Sequence, residues 1–115
     1  GGLLSAYDLS GDDTFLERAD DLGSRLLKAF DSPSGIPYGQ VNLKSGKASN
    51  LPWIGGNLAI LAEFGTLQVE FRFLAQVTGK IEYAEKAERV FELMKEMEPP
   101  NGLYPYFVDN TNDKP

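Results

Sequence analysis

The stretch LAILAEFGTLQVEFRFL, residues 58–74, decides the fold that we predict for this chain. Apolar side chains occupy most sides of the helix that it would form, which predicts a buried inner helix over residues 58–77. Two carboxylates interrupt the pattern. At about 100° per residue, Glu63 and Glu70 differ by about 20° around the helix axis, and Thr66 lies within about 60° of Glu63. The three residues would therefore form one polar stripe.

This polar stripe has two interpretations. A carboxylate on an apolar helix is costly to bury unless it is paired or faces a polar cavity. Because of this cost, Glu63 is the leading candidate for a functional residue. The alternative is that the stripe is exposed to solvent, as charged side chains mostly are, and the pattern alone favours neither interpretation.

Composition limits the chemistry that the chain can perform. The 115 residues suffice for one small domain, carry a net charge of −6, and include neither cysteine nor histidine. Thiol chemistry, disulfides, a Ser-His-Asp triad and imidazole zinc ligands are thereby excluded, so any catalysis rests on carboxylates, lysine, tyrosine or a hard metal ion. The acidic residues are spread along the chain, which argues against nucleic acid as a partner. Because Glu63 and Gly65 interrupt the longest apolar stretch, we expect no membrane contact by this segment.

An internal repeat organises the chain. Leu9-Ser10-Gly11-Asp12 and Val77-Thr78-Gly79-Lys80 are related by an offset of 68 residues, and each lies between two predicted helices. The sequence predicts an all-α fold of two helix-hairpin repeats, about 1–57 and 58–115. The four helices of these hairpins are predicted over residues 3–10, 13–30, 58–77 and 82–97.

The four helices differ in character. Those over 13–30 and 82–97 are amphipathic and fit an outer layer, whereas those over 3–10 and 58–77 are apolar nearly all round and fit an inner layer. Stacked helix pairs of this kind build either an open solenoid or a closed ring. A closed ring has a central cavity, into which the polar stripe on residues 58–77 could point.

A carboxylate pair on a cavity wall is typical of glycoside hydrolysis. Glu63 and Glu70 would lie about 10 Å apart on one helix, slightly beyond the range of about 6.5–9.5 Å in inverting enzymes, so we do not assign them as acid and base. The long loop over residues 31–57, which we expect to be ordered and to contain a short hairpin, contributes Tyr38 and Trp53. These aromatic side chains either stack on sugar rings or close the mouth of the ring.

An acidic stretch near the end of the chain, Asp109–Asp113, has some features of a calcium-binding loop. Thr111 and Lys114 stand where a ligand and the essential glycine of such a loop belong. We therefore reject this stretch as a calcium site.

Several segments, taken in order, carry a specific resemblance. They are Gly1–Tyr7, Leu9–Gly11, Ala29-Phe30, Ser34–Tyr38, Val41–Gly46, Leu61–Phe71 and Asn101–Pro105. In order and spacing they resemble the class I α-1,2-mannosidases of glycoside hydrolase family 47. The resemblance covers nearly the whole chain and is far more specific than any single motif.

The resemblance implies a closed (α/α)7 barrel and an inverting, calcium-dependent enzyme. Such enzymes trim terminal α-1,2-linked mannose from high-mannose N-linked glycans on glycoproteins, in the lumen of the endoplasmic reticulum or Golgi or outside the cell. Glu63 matches an acidic residue that lines the substrate pocket of the family. The substrate-binding residues that we predict are Glu63, Thr66, Glu70, Tyr38 and Trp53.

The resemblance also implies which parts of the machinery these residues lack. A domain of the family is several times longer, its proposed general acid is a Glu shortly before Gly1, and its other catalytic carboxylates and its calcium-binding Thr lie beyond Pro115. We therefore expect a fragment of one barrel catalytic domain that has no catalytic or metal-binding residue of its own and is inactive alone.

Two alternatives stay open. One is a non-catalytic helical-repeat module that binds glycans or proteins and exposes the polar stripe to solvent. The other is a degradation-enhancing, mannosidase-like protein of the same family. The intact segments Leu9-Ser10-Gly11 and Ala62–Thr66 favour a processing enzyme over the second alternative.

Overall fold

Helical hairpins dominate the computed structural model, which describes residues 1–112. The first hairpin joins α1 (Gly2–Ser10) to α2 (Asp13–Leu26), and a 3₁₀ helix over Leu27–Phe30 continues α2. A short helix, α3 (Leu61–Phe64), precedes the second hairpin of α4 (Gln68–Thr78) and α5 (Glu82–Glu96). The remaining elements are β1 (Gln40–Val41), β2 (Ala48–Ser49), a 3₁₀ turn (Pro52–Ile54), β3 (Leu58–Ile60) and β4 (Phe107–Asp109). The chain is mainly helical, as predicted.

Each helical hairpin turns at a glycine in the left-handed conformation. Gly11 has φ 68° and Gly79 has φ 72°, values that side chains with a Cβ rarely adopt. The backbone N–H of each glycine donates to a carbonyl of the preceding helix, at 2.8 Å for Gly11 and 2.9 Å for Gly79. The Asp12 carboxylate then accepts from the Thr14 N–H at 2.9 Å and caps α2. The two predicted glycine turns are confirmed.

Residues 58–77 do not form the single helix that their apolar pattern predicts. β3 occupies residues 58–60, α3 ends at Phe64, and residues 65–67 separate α3 from α4. A short apolar run fits a strand as well as a helix, and pairing with β4 decides for the strand. The prediction of one polar stripe is therefore wrong, because Glu63 and Glu70 lie on different helices.

Side chains interrupt the helix between α3 and α4. The Thr66 hydroxyl donates to the Ala62 carbonyl at 2.7 Å, and the Gln68 Nε2 donates to the Phe64 carbonyl at 2.7 Å. In a continuous helix both carbonyls would accept backbone N–H groups four residues further on. The polar side chains compete with the backbone for these carbonyls and so favour the break.

The strands form two short antiparallel ladders. One joins β3 and β4, which are distant in sequence, and the other joins β1 and β2 within the long loop. β3 pairs with β4, with the buried residues Ala59 and Val108 opposite each other. The hairpin that we predict within residues 31–57 is confirmed as the pair β1 and β2. Arg25 Nη1 donates to the Leu43 carbonyl at 3.0 Å and ties this hairpin to α2.

Apolar packing forms two clusters. One consists of Phe30, Ile36, Ala59, Phe64, Val90, Leu93 and Val108. The other consists of Leu4, Ala19, Leu74, Ala75 and Tyr83. α5 contributes to both clusters, so it holds the helical hairpins and the β3–β4 ladder together. No helix within residues 1–112 is long and apolar enough to cross a membrane.

Tyr83 connects the two hairpins. Its side chain is fully buried, and its hydroxyl donates to Asp20 Oδ1 at 2.6 Å. Lys80 forms an ion pair with the other oxygen of the same carboxylate. Hydrogen bonds lower the pKa of Asp20, and the bond from Lys80 has a larger effect than the bond from Tyr83. The pKa of Tyr83 is raised, mainly by burial of the phenol and to a lesser extent by its hydrogen bond to Asp20.

We expect Gly65→Ala to destabilise the fold. A Cβ built on Gly65 would lie 2.8 Å from the Leu61 carbonyl oxygen, a backbone atom that cannot move freely. The cost should be about 1–3 kcal/mol in the free energy of unfolding, measured by urea denaturation with circular dichroism. Gly2→Ala is the control, because its Cβ would meet nothing within 4 Å. A Gly65→Ala chain as stable as the wild type would contradict the steric role of Gly65.

The Asp20 link predicts a pH dependence of stability. Because the folded-state pKa of Asp20 is lowered, its carboxylate contributes stability above the unfolded pKa of about 3.9 and loses it as the pH falls through the folded value. The wild type should therefore exceed Asp20→Asn in urea midpoint at pH 7, and the difference should shrink below about pH 4. An equal difference at neutral and strongly acidic pH would refute this role of the carboxylate.

Candidate functional site

An open cavity of about 340 Å³ lies beside Glu63. Its lining residues are Leu26, Ala29, Phe30, Pro37, Tyr38, Gly39, Val41, Ile60, Glu63, Phe64, Leu67 and Phe71. Most of these side chains are apolar, Glu63 is the one charged residue among them, and Tyr38 contributes an aromatic side chain. A cavity with apolar walls and a few polar groups that face inward is typical of a small-molecule site. We call it the Glu63 cavity.

The Glu63 carboxylate is available to a ligand. Its side chain is exposed, and no group in residues 1–112 donates a hydrogen bond to it. The loop that carries Gly39 passes directly over it: a Cβ built on Gly39 would lie 2.9 Å from Glu63 Oε2. The carboxylate therefore lies in the cavity against the loop backbone, with its acceptor sites unused by the described part of the chain.

Glu70 faces a second cavity, of about 350 Å³, on the other side of a shared wall. Leu26 and Phe71 line both cavities and separate the two carboxylates. The second cavity is otherwise formed by apolar residues and glycines of α1, α2 and α4. The two carboxylates therefore line two different cavities that share Leu26 and Phe71 as a common boundary.

The five predicted substrate-binding residues occupy different places. Glu63 and Tyr38 share one cavity, and Glu70 lines the next. Thr66 lines a separate groove along α4 and α5, and its hydroxyl is engaged with a backbone carbonyl. Trp53 lies in the 3₁₀ turn that follows β2, with 73% of its surface exposed. The structure thus brings together two of the five.

A buried polar network that the sequence pattern did not reveal fixes the loops around the Glu63 cavity. Asn110 is fully buried, and its Nδ2 donates to the carbonyls of Ile36 and Pro37, at 3.2 Å each. Asn50, 4% exposed, donates from Nδ2 to Asn110 Oδ1 at 2.6 Å. The Ser34 hydroxyl donates to the Asn110 carbonyl. Three chain segments that are distant in sequence therefore meet at one asparagine.

The signal for this network in the sequence is weak. Asn110 directly follows the apolar residues of β4, which marks it as a polar residue next to a buried strand, but no periodicity pairs it with Asn50, sixty residues earlier. The pairing depends on the β3–β4 ladder, which the sequence pattern did not predict. Buried polar side chains of this kind are almost always hydrogen-bonded, and here the partners are mostly backbone carbonyls.

The acidic stretch that begins at Asp109 forms a structural turn. The Asp109 carboxylate accepts from the Thr111 hydroxyl and N–H, at 2.7 and 2.8 Å, and from the side-chain amides of Asn57 and Asn112. These bonds, that of the Thr111 hydroxyl foremost, lower the pKa of Asp109. Asp113 and Lys114, which entered the comparison with a calcium loop, lie outside the described residues.

The described residues do not fit a calcium ion. Within residues 1–112 no three acidic side chains gather in a group that could hold a metal, and the oxygens of Asp109 already accept hydrogen bonds from four donors. Calcium prefers six to eight oxygen ligands. No step of a reaction is therefore assigned to a metal ion held by these residues.

The family model for glycosyl hydrolase family 47 matches residues 1–115. The chain belongs to this family. The resemblance that we inferred from the separate segments is confirmed over the whole length. Among the curated relatives, a mannosyl-oligosaccharide 1,2-alpha-mannosidase of Arabidopsis thaliana is 48% identical over 115 residues, which are 100% of this chain and 20% of that protein. The human mannosyl-oligosaccharide 1,2-alpha-mannosidase IB is 47% identical over 109 residues, 95% of this chain and 17% of that protein.

A solved structure supports the same family fold. The alpha-1,2-mannosidase from Trichoderma reesei superposes with a TM-score of 0.80 at 28% sequence identity. The superposition covers 98% of this chain and 26% of that one. The chain thus spans about a sixth to a quarter of the length of these relatives.

Removal of the Asn110 side chain should destabilise the loops around the cavity. Asn110→Ala removes the donor to the Ile36 and Pro37 carbonyls and the acceptor of Asn50 Nδ2. The Ile36 carbonyl keeps the Ser32 hydroxyl as a donor, whereas no other donor within residues 1–112 reaches the Pro37 carbonyl. We expect a loss of about 3 kcal/mol in the free energy of unfolding. Asn112→Ala removes an exposed amide two positions away and should change stability by less than about 0.5 kcal/mol. Urea denaturation of both variants tests the difference. Equal stabilities would show that the network does not hold the loops.

Proposed function

We propose that these residues form part of the substrate cavity of a mannosyl-oligosaccharide α-1,2-mannosidase, which removes terminal α-1,2-linked mannose from high-mannose N-linked glycans on glycoproteins. Family membership supports this proposal, as do the names of relatives that match nearly the whole chain. The alternative of a binding module without chemistry has no observation of its own in its favour. The lumen of the secretory pathway, or the cell exterior, is proposed as location from the family resemblance alone.

The observation that carries the proposal is the free Glu63 carboxylate in a largely apolar cavity. A sugar presents hydroxyl groups along its edge and C–H groups on its faces. An ionised carboxylate accepts hydroxyl hydrogens in short, charge-assisted bonds. The aromatic and aliphatic walls, Tyr38 among them, suit the apolar faces of the ring. We infer that Glu63 binds and orients a mannose residue by accepting hydrogen bonds from its hydroxyl groups.

The acid and base of hydrolysis are proposed to lie elsewhere in the complete protein. An inverting glycosidase places two carboxyl groups on either side of one glycosidic bond, about 6.5–9.5 Å apart. Glu63 and Glu70 line separate cavities with apolar side chains between them, so they do not suit the two sides of one bond. We propose that the 115 residues alone are inactive. The inverting outcome and the calcium ion remain proposals from the resemblance, with calcium ligands outside this segment.

The architecture of the complete domain is proposed as a closed (α/α)7 barrel, in which this chain supplies two adjacent helix-hairpin repeats, about 1–57 and 58–115. The superposition on the alpha-1,2-mannosidase from Trichoderma reesei supports it. So do Leu9 and Val69 on the two inner-layer helices, with 88% and 76% of their surfaces exposed. Large exposed apolar side chains on neighbouring helices are typical of surfaces that pack against further structure.

We expect Glu63→Gln in the complete protein to lower kcat/KM for mannose release from a high-mannose glycan by about 10- to 100-fold. The amide keeps the shape of the side chain but loses the charge, and a hydrogen bond to a charged group is worth about 1.5–3 kcal/mol. Glu85→Gln, an exposed carboxylate on α5 outside both cavities, is the matched control and should retain the wild-type rate. Mannose release at the wild-type rate by Glu63→Gln would remove Glu63 from the site.

A further inference from the structure

The residue opposite Glu63 in the cavity has no side chain. A Cβ built on Gly39 would lie 2.9 Å from Glu63 Oε2, and the next atoms, Glu63 Cδ and Leu51 Cγ, would be 3.9 and 4.0 Å away. The close contact is therefore with the tip of the carboxylate alone. Real Cβ atoms do not approach another heavy atom this closely, so any larger residue at position 39 would displace the carboxylate.

Backbone conformation does not require a glycine at this position. Gly39 is absent from the residues with positive φ, in contrast to Gly35 and Gly46 in the flanking segments. An alanine could adopt its backbone angles without strain. What distinguishes glycine from alanine here is only the space that the missing side chain leaves to the Glu63 carboxylate.

The backbone on both sides of Gly39 is held in place. The Tyr38 N–H donates to the Ala29 carbonyl at 2.9 Å, and β1 begins at Gln40, which pairs with Ser49. The N–H of Gly39 itself points to Asn50 Oδ1, at 3.4 Å.

Asn50 is in turn anchored at its other end. Its Nδ2 donates to Asn110 Oδ1 at 2.6 Å, and both asparagines are buried. The loop is held by hydrogen bonds at three successive positions, 38 to 40, whereas no described residue holds the Glu63 carboxylate, so the carboxylate moves more easily than the loop. A Cβ at position 39 would therefore move the Glu63 carboxylate and not the loop.

From these contacts we propose that Gly39 is a positioning residue for Glu63. By lacking a side chain, it lets the carboxylate lie against the loop backbone, where it meets the hydroxyl groups of the bound mannose. The inference rests on the proposed function, because it assigns to Gly39 the placement of the group that binds the sugar. Gly39 itself contacts no substrate in this scheme and contributes no chemistry.

A double-mutant cycle in the complete protein tests the inference. The four proteins are the wild type, Gly39→Ala, Glu63→Gln and the double variant, assayed for kinetics on α-1,2-linked mannobiose. We expect Gly39→Ala to raise KM about fivefold with little change in kcat, as when one hydrogen bond to the substrate is weakened. In the Glu63→Gln background the same alanine should change KM by less than about twofold, because the displaced group has already lost its role. The thermal midpoint of Gly39→Ala should equal or exceed that of the wild type, since alanine restricts the unfolded chain.

The outcomes separate the inference from the proposed function. If Glu63→Gln impairs mannose release but Gly39→Ala has wild-type kinetics, acts equally in both backgrounds or fails to fold, the positioning role of Gly39 is wrong and the site stands. If Glu63→Gln has wild-type kinetics, the proposed site itself is wrong and the positioning role falls with it. A Glu63-dependent rise in KM at an unchanged thermal midpoint supports both.

Discussion

The placement of the two carboxylates depends on the interruption between α3 and α4. Thr66 and Gln68 donate to the carbonyls of Ala62 and Phe64 and so favour an interruption between α3 and α4. A helix that continued through this point would carry Glu63 and Glu70 on one face. With the interruption, the two carboxylates enter separate cavities, with Leu26 and Phe71 between them.

On the other side of α3, residues 58–60 form a strand. β3 pairs with β4, and the pairing delivers Asn110 to the loops that surround the Glu63 cavity. At the other end of the structure, Tyr83 and Asp20 link the two hairpins. Hydrogen bonds between distant segments, buried at Asn110 and partly buried at Asp20, thus hold both the loops at the cavity and the two helical hairpins.

Local patterns in the sequence predict much of the helical frame. The glycines at 11 and 79 mark both hairpin turns, and the amphipathic pattern of residues 82–97 predicts the bounds of α5 to within one residue. The order and spacing of the family segments predict membership of glycosyl hydrolase family 47. These features are local, or they rest on a resemblance that spans the chain.

Features that depend on contacts between distant segments were not predictable from the pattern. The run Leu58–Ile60 is apolar and suits either a helix or a strand, and only its partner β4 decides between them. The angular positions of Glu63, Thr66 and Glu70 were derived from a continuous helix. Because residues 58–77 do not form one, the prediction that these residues share one stripe failed. Asn50 and Asn110 are unremarkable by composition, and their role appears only when the ladder brings them together.

The central claim is that Glu63 meets the sugar in the cavity beneath Gly39, apart from Glu70. A crystal structure of the complete protein with a sulfur-linked, hydrolysis-resistant α-1,2-mannobiose tests it most directly. We predict a mannose hydroxyl within hydrogen-bonding distance of the Glu63 carboxylate, the loop at Gly39 in its present place, and Glu70 across the Leu26–Phe71 wall. A sugar bound away from Glu63, or both carboxylates side by side on one continuous helix, would contradict the claim.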